Sequence, residues 1–365
     1  MLTEEKVQVL EVLERTSTIL RLKTSGGSGK AILYRTLHSD VQSGDWIVVN
    51  TTATKLQLGT GGWDIVRNVI DKPLLDKKKE DEDGHIMKAR YLGDQHSSLT
   101  IESPESRTHQ MFHQKLDLQG RKVLLCELHS MLPIVWFILQ SQEVNIPLLV
   151  VLSDEASLPL AMSKHLTYLQ EMDKFESIST GQAFGAQKES INIVTALQYF
   201  HETHEEGIIL ITLGPGIVGS STRYGFSSLS QGNWANMIGA LGGTPIWIPR
   251  LSGADERERH QGISHHTITP LTELTLTKSI LPLPSGDYSN KWIETSLLYL
   301  ETIENVSIKK VAEQKLLPLL DQVQQLSPFP LTSMGRTIDK DPLFFLGVAA
   351  AVYWYLSEDT HSCNV

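Results

Sequence analysis

The stretch from Gly207 to Gly219 reads Gly-Ile-Ile-Leu-Ile-Thr-Leu-Gly-Pro-Gly-Ile-Val-Gly. Its first half is an apolar run of strand length, and such near-continuous hydrophobicity is typical of a strand buried on both faces of a parallel sheet. Its second half has Gly-x-Gly-x-x-Gly spacing at Gly214, Gly216 and Gly219, and a helical pattern follows. The stretch therefore predicts one strand, loop and helix unit of a parallel α/β domain.

Four more apolar runs lie on either side of this unit, with helix-length segments between them. This alternation predicts a Rossmann-like α/β domain over residues 96–365, with a parallel sheet of about five strands and flanking helices. The predicted strands are Lys122–Leu128, Ile146–Ser153, Phe175–Thr180, Gly207–Leu213 and Thr244–Arg250. The predicted helices between them are Met131–Gln140, Leu158–Met172, Glu189–His204 and Ser227–Leu241.

The chain after residue 280 predicts helices that pack back on the domain. Leu281–Gly286, with two prolines, is typical of a linker or surface loop, and helical patterns follow near 292–303 and 308–326. Leu343–Leu356 is apolar and follows Asp341 and Pro342, a good N-cap and first-turn pair. Its 14 residues are too few to cross a membrane, which takes about 20, so we expect a buried helix.

The N-terminal part has a different pattern, of short β-type runs separated by turn residues. It predicts a small β-barrel or β-sandwich domain over residues 1–95. The predicted strands are Val7–Leu13, Thr18–Leu22, Lys30–Leu37, Asp45–Asn50, Gly62–Asn68 and Ile86–Tyr91. The charged run from Asp76 to Asp83 between the last two predicts a solvated loop.

Composition limits the partners and the compartment. The formal charge of −10 and the pI of about 5.7 disfavour nucleic acid and anionic membrane surfaces as partners. The N-terminus lacks the pattern of a signal peptide, and of the two cysteines Cys126 lies in an apolar strand and Cys363 in a polar tail. We therefore expect a cytoplasmic protein with a small anionic ligand, which could form a homo-oligomer.

Polar or glycine-rich residues follow all five predicted strands, and ligands of open parallel sheets bind outside the carboxyl ends of the strands. The loop of Gly214, Gly216 and Gly219 can point backbone N–H groups at a phosphate or carboxylate, as in dinucleotide sites. An acidic ribose-binding residue is missing, however, and Arg250 ends the next strand. Anion binding is thus the main interpretation, NAD(P) binding and a purely structural turn being the alternatives.

The ligand-binding candidates are the residues at these strand ends that can contact an anion or orient it. They are Gly181, Gln182, Gly214, Gly216, Gly219, Thr222, Arg223 and Arg250. The catalytic candidates are Asp154, His265 and His266, although Asp154 could equally be a helix N-cap and one of the adjacent histidines could be structural. Asp255 and His260 are weak candidates for metal ligands, because no known zinc spacing is present.

Three further features of the sequence favour structural roles or leave two roles open. Cys126 with His129 could suggest a nucleophile and a base, but a core cysteine fits the apolar strand better. The Glu-Arg alternation at 256–259 is typical of a solvated helical turn. Met334–Arg336, together with Asp339 and Asp341, could return to the crevice or simply start the last helix.

Seven stretches together resemble an uncharacterised bacterial protein family that is known only as a domain of unknown function. They are Leu152–Leu160, Thr180–Gly185, Gly214–Gly225, Ile263–Thr267, Ser333–Arg336, and Asn50–Ala53 with Leu58–Gly62. The resemblance covers nearly the whole chain. It implies an intracellular bacterial protein and supplies no activity and no cofactor.

The sequence leaves two functional hypotheses. The first is a hydrolase or transferase that acts on a phosphate- or carboxylate-bearing substrate at the carboxyl edge of the sheet. The second is a non-catalytic ligand-sensing or scaffolding protein, with the β-barrel as its partner-binding module. Cofactors and metals stay unknown at this point.

Overall fold

The chain forms two compact units in a computed structural model that describes residues 2–72 and 84–362. The first unit comprises residues 1–97 with 161–164, and the second comprises 98–160 with 165–365. Cys363 and the charged run from Asp76 to Asp83 lie outside the described residues. The predicted division after residue 95 lies close to the first boundary, whereas no sequence pattern indicated the return of 161–164 to the first unit.

The first unit is built on a closed β-barrel, in the strand order β1-β2-β3-β5-β4. Apolar side chains alternate along the strands and fill its interior, among them Val7, Leu20, Leu33 and Ile47. The elements are β1 (Glu4–Arg15), β2 (Ile19–Thr24), β3 (Lys30–Tyr34), β4 (Trp46–Asn50), α1 (Thr52–Lys55), β5 (Asp64–Val69), and the separate pair β6 (Ile86–Lys88) and β7 (His96–Ser98). The small N-terminal barrel that the sequence predicts is confirmed.

The second unit is an eight-stranded parallel sheet with helices on both faces. The strand order is β11-β10-β9-β12-β8-β13-β16-β17. The strands are β8 (Lys122–Cys126), β9 (Leu148–Ser153), β10 (Phe175–Ser179), β11 (Lys188–Glu189), β12 (Ile208–Leu213), β13 (Thr244–Ile248), β16 (Ser279–Ser285) and β17 (Val306–Ala312), and β14 (Leu251–Ser252) pairs with β15 (Gly262–Ile263) outside the sheet. The Rossmann-like α/β class is confirmed, with eight strands in place of about five.

Helices cover both faces of this sheet. One face packs against α2, α8 and α9, and the other against α4, α5 and α7. The helices are α2 (Met131–Ser141), α3 (Lys164–Leu169), α4 (Ile193–Thr203), α5 (Gln231–Ala240), α6 (His265–Thr269), α7 (Asp287–Leu300), α8 (Glu313–Leu326) and α9 (Pro342–Ser362). The expected buried C-terminal helix is α9. No helix among the described residues is long and apolar enough to span a membrane.

The prediction of a linker at Leu281–Gly286 was wrong, because residues 279–285 form the buried strand β16. Pro282 and Pro284 lie two residues apart, so their missing N–H groups fall on the same side of the strand. The pairing is correspondingly one-sided. Seven residue pairs join β16 to β17, but a single pair, Ile246 with Ile280, joins it to β13.

Three predicted helices were also longer than the helices in the structure. The start of the predicted helix 308–326 is β17, and Lys188–Glu189, which overlaps another, is β11. The segment Leu158–Met172 holds only the 3₁₀ turn Leu160–Met162 and α3, because residues 161–164 pack with the first unit. Helix α4 instead begins after Asn192, whose side chain accepts a hydrogen bond from the backbone N–H of Thr195.

The connections of β8 and β13 leave the sheet toward opposite faces. Helix α2, which follows β8, packs on one face, whereas the π-helical turn Pro270–Leu274 that follows β13 packs beside α5 on the other. A crevice opens where neighbouring strands diverge in this way, and it is the usual ligand position in open parallel sheets. A ligand-binding site is therefore expected at the ends of β8 and β13.

The packing of α4 on the sheet gives a test of this architecture. Phe200 lies fully buried in α4, whereas Leu298 in α7 is 65% exposed. We expect Phe200→Ala to lower the free energy of unfolding by about 3–5 kcal/mol, since it removes a buried ring and leaves a cavity, and Leu298→Ala to change it by less than about 0.5 kcal/mol. Urea unfolding followed by circular dichroism measures both, and equal effects would contradict the arrangement of these helices.

Candidate functional site

A buried ion pair joins the ends of β8 and β13. Glu127, directly after β8, is completely buried, and its Oε1 lies 2.9 Å from Nη1 of Arg250, which is 5% exposed. Burial alone raises the pKa of the Glu127 carboxyl, but the Arg250 charge and the His266 hydrogen bond outweigh it and lower that pKa to about 2. The pair is therefore ionised at neutral pH.

His266 is the third member of this contact. Its Nδ1 lies 2.9 Å from the same Oε1 of Glu127 and 3.3 Å from Nη1 of Arg250. Because an ionised carboxylate can only accept, the closer contact places a proton on Nδ1 of His266. The ring of Phe226 stacks on the imidazole at 3.9 Å with an interplanar angle of 8°, which fixes its orientation.

Two more histidines adjoin His266. The ring centroids of His260 and His265 lie 4.8 Å and 4.3 Å from that of His266. Burial, followed by the Arg250 charge, lowers the pKa of His260 to about 3, and burial and the neighbouring His266 lower the pKa of His265. His260 and His265 are therefore neutral at pH 7.

The loop of Gly214, Gly216 and Gly219 lies over this cluster. A Cβ atom built at Gly219 would stand 3.8 Å from Nε2 of His266, and Gly216 has a φ of +86°, which favours glycine. A short hairpin that bridges Gly219 and Phe226 follows the loop, and α5 begins only at residue 231. The loop therefore does not lead straight into a helix N-terminus as a dinucleotide loop does.

The arginine and threonine predicted after the loop are bound to other parts of the surface. Arg223 forms two hydrogen bonds with the carboxylate of Glu273, at 3.1 and 2.6 Å, and its side chain is 69% exposed. Thr222 bonds Ser220 and the backbone N–H of Gly225 within the hairpin. None of these hydrogen bonds is made to a histidine.

Arg259 is a functional candidate that the sequence reasoning missed. Its Nη2 donates to Oγ of Ser221 at 2.9 Å, and its Nε is buried without a hydrogen-bond partner in the described part of the chain. Its backbone oxygen lies 3.3 Å from Nδ1 of His265. The charge alternation at 256–259 concealed it, because that pattern is typical of solvent-exposed side chains.

Asp255, a weak candidate for metal binding, lies in a second charged network. Both its oxygens accept from Arg257 at 2.9 Å, and Nη2 of Arg336 lies 3.3 Å from Oδ2. The Arg257 hydrogen bonds hold the pKa of the Asp255 carboxyl well below its usual range. Asp341, which lies just before α9, accepts from Arg336 and Ser252, so residues 336–341 do return to this end of the sheet.

Asp154 and Gly181 line a cavity at the ends of β9 and β10, and Gln182 follows them in the chain and bonds Asp154. Oδ2 of Asp154 accepts from the backbone N–H of Gln182 at 2.7 Å, and Gly181 has a φ of +61° because its backbone lies against this carboxylate. The cavity has a volume of about 590 Å³. Among the described residues that line it there is no histidine, so Asp154 and the three histidines do not line the same cavity.

Cys126 is buried in the core, as the apolar strand predicts, and His129 is half-buried. The thiol of Cys126 lies 3.3 Å from the backbone oxygen of Leu128, and burial raises its pKa to about 12. His129 contacts the backbone oxygen of Leu213 at 3.3 Å, and burial lowers its pKa to about 4. The thiol is therefore protonated, and a protonated thiol is a weak nucleophile.

Comparison with known proteins places the chain in a family without a described activity. The sequence model of the family described as "Protein of unknown function (DUF3866)" matches residues 30–352. The chain belongs to this family. No curated protein and no solved structure matches it. The resemblance to a family of unknown function is thereby confirmed. The family supplies no activity, so a function can be inferred only from the geometry of the site.

The Glu127–Arg250 pair gives a test of how deeply this site is enclosed. Glu127→Gln should lower the free energy of unfolding by about 3–5 kcal/mol, because it removes the closer counter-charge of the buried guanidinium and leaves Arg250 only Asp255, at 3.9 Å. Glu273→Gln is the matched control: its Arg223 pair is exposed, so the change should cost no more than about 1 kcal/mol. Chemical denaturation of both variants measures the difference. If Glu127→Gln were no more destabilising than the control, the pair would be solvated rather than buried.

Proposed function

We propose that this protein is an enzyme, a hydrolase or a transferase, that acts on a small phosphate- or carboxylate-bearing substrate in the crevice at the ends of β8 and β13. The observation that carries the proposal is the position of Arg259: a guanidinium without a carboxylate partner in the described part of the chain, next to a cluster of three histidines.

Arg259 is the anion-binding group in this proposal. Arg250 and Arg223, which the sequence favoured, already bind the carboxylates of Glu127 and Glu273. A guanidinium presents its N–H donors in a planar fork that fits the oxygens of phosphate and carboxylate. The hydrogen bond from Arg259 to Ser221 holds the fork near the glycine loop, whose backbone would contribute further donors.

The reacting groups are the histidines. His260 and His265 keep neutral imidazoles at pH 7, so each retains a lone pair that can take up a proton or bind an electrophile. His266 is oriented by Glu127 from one side and by Phe226 from its face, which is the kind of support that reactive side chains need. Phosphorylated and carboxylated metabolites are intracellular, in keeping with the cytoplasmic location that we also propose.

Anion binding is testable by thermal shift. Inorganic phosphate and a panel of phosphorylated and carboxylated metabolites should raise the melting temperature of the wild-type protein, since a ligand at a hundredfold excess over its Kd stabilises the fold by about 2.7 kcal/mol. Arg259→Gln should abolish the shift. Arg223→Gln, an exposed arginine in a surface ion pair, is the control and should keep it. Equal shifts in the two variants would remove Arg259 from the site.

Catalysis is tested separately from binding. With the anion that gives the largest shift, His265→Ala should lower kcat by at least about 100-fold while the thermal shift is kept, because the imidazole acts on the reaction rather than on affinity. His113→Ala, at an exposed histidine, serves as the control. Binding without any turnover in the wild-type protein would instead support the ligand-sensing hypothesis.

A further inference from the structure

One ring nitrogen of each of three histidines lies close to a ring nitrogen of the other two. These nitrogens all lie within 4.8 Å of one another, on residues 260, 265 and 266. His260 and His266 are buried and His265 is half-buried. Histidines 265 and 266 open the short helix α6, whereas His260 comes from the preceding 3₁₀ turn, so the cluster is set by tertiary structure as well as by local sequence.

The Nδ1 atom of each ring is already held by a different protein group. Nδ1 of His266 contacts the Glu127 carboxylate at 2.9 Å, Nδ1 of His260 contacts the Ser264 hydroxyl at 2.7 Å, and Nδ1 of His265 contacts the Arg259 carbonyl at 3.3 Å. Carboxylate, hydroxyl and carbonyl oxygens can each accept from Nδ1–H, so Nε2 is the ring nitrogen that stays available to a metal ion. Metal-ligating histidines have this arrangement, because the outer hydrogen bond fixes the tautomer and the ring orientation.

The Glu127 carboxylate is a negative charge beside the cluster, where Arg250 and Arg259 are positive. Oε2 of Glu127 is buried and lacks a hydrogen-bond partner in the described part of the chain, so this carboxylate has unused accepting capacity beside His266.

We propose that His260, His265 and His266 bind one divalent transition-metal ion through their Nε2 atoms, with a fourth coordination position open toward the substrate. Imidazole ligands favour zinc, cobalt, nickel and copper over magnesium and calcium, which prefer oxygen. Zinc bound at about 2.0–2.1 Å places its nitrogens about 3.4 Å apart. The rings therefore need to close by no more than about 1.4 Å, since their widest separation is 4.8 Å.

This proposal deepens the proposed function and rests on the same site. A three-histidine metal with an open position polarises a phosphoryl or carbonyl oxygen and lowers the pKa of a bound water. Arg259 would then hold the anionic part of the substrate beside the metal. Asp255, bound on both oxygens by Arg257, is not a ligand in this site.

The test is a cobalt titration of the full-length protein after treatment with a chelator. We expect saturation at one Co²⁺ per chain, with a visible absorption band of a tetrahedral, nitrogen-ligated ion. His260→Gln and His266→Gln should abolish the band, and His113→Ala should leave it unchanged. Ser264→Ala keeps all three ligands but removes the acceptor of His260 Nδ1, so it should weaken binding about 10–100-fold. This variant keeps the test decisive if the histidine variants fail to fold, which circular dichroism would show.

The possible results separate this proposal from the proposed function. The metal site is refuted if the wild-type protein binds no stoichiometric cobalt, or if Ser264→Ala binds it as tightly as the wild type. Anion stabilisation and turnover that survive the chelator would refute the metal site alone and leave the enzyme proposal in place. One bound cobalt without any anion effect in the thermal-shift screen would support the metal site and contradict the proposed function.

Discussion

A carboxylate enclosed at the end of β8 constrains the structure around it. An unpaired buried charge costs several kcal/mol, so Glu127 requires a cation at a fixed distance. Arg250 supplies it because Cys126 and Ile248 are paired in register, and both charged residues follow that pair. The backbone N–H of Ser264 then donates to the Arg250 oxygen, and the backbone N–H of Arg250 donates to Oγ1 of Thr267. These bonds bring the chain back and place His266 against Glu127.

The fold was largely predictable where one physical signal acted alone. The strands β8, β9, β12 and β13 are buried on both faces, and their near-continuous hydrophobicity located each to within a few residues. The sequence failed where two signals conflicted. In β16 the two prolines predicted a loop. The strand tolerates them because it pairs extensively on only one side, which local sequence does not reveal. In β17 two lysines and the following helix hid a strand at the edge of the sheet.

The position of the site in the fold was predictable, but the pairing of its charged side chains was not. The carboxyl edge of a parallel sheet identified the right loops, and His265 and His266 lie there. Which charges are free depends on contacts between residues far apart in sequence: Arg250 is 123 residues from Glu127, and Arg223 is 50 residues from Glu273. Sequence patterns could not show that these two arginines bind carboxylates, whereas Arg259 binds no carboxylate within residues 2–72 and 84–362. Glu127 was passed over because it ends an apolar strand without any motif.

The single residue pair between β13 and β16 divides the sheet into a six-strand body and a two-strand edge. Few backbone hydrogen bonds cross that line, whereas α9 packs on β13, β16 and β17 together. The edge is therefore held mainly by apolar burial under α9, with α7 and α8 also in contact with it. Such burial is non-directional and weakens on cooling, unlike a backbone ladder. The attachment of the last two strands to the sheet thus depends on the C-terminal helix more than on strand pairing.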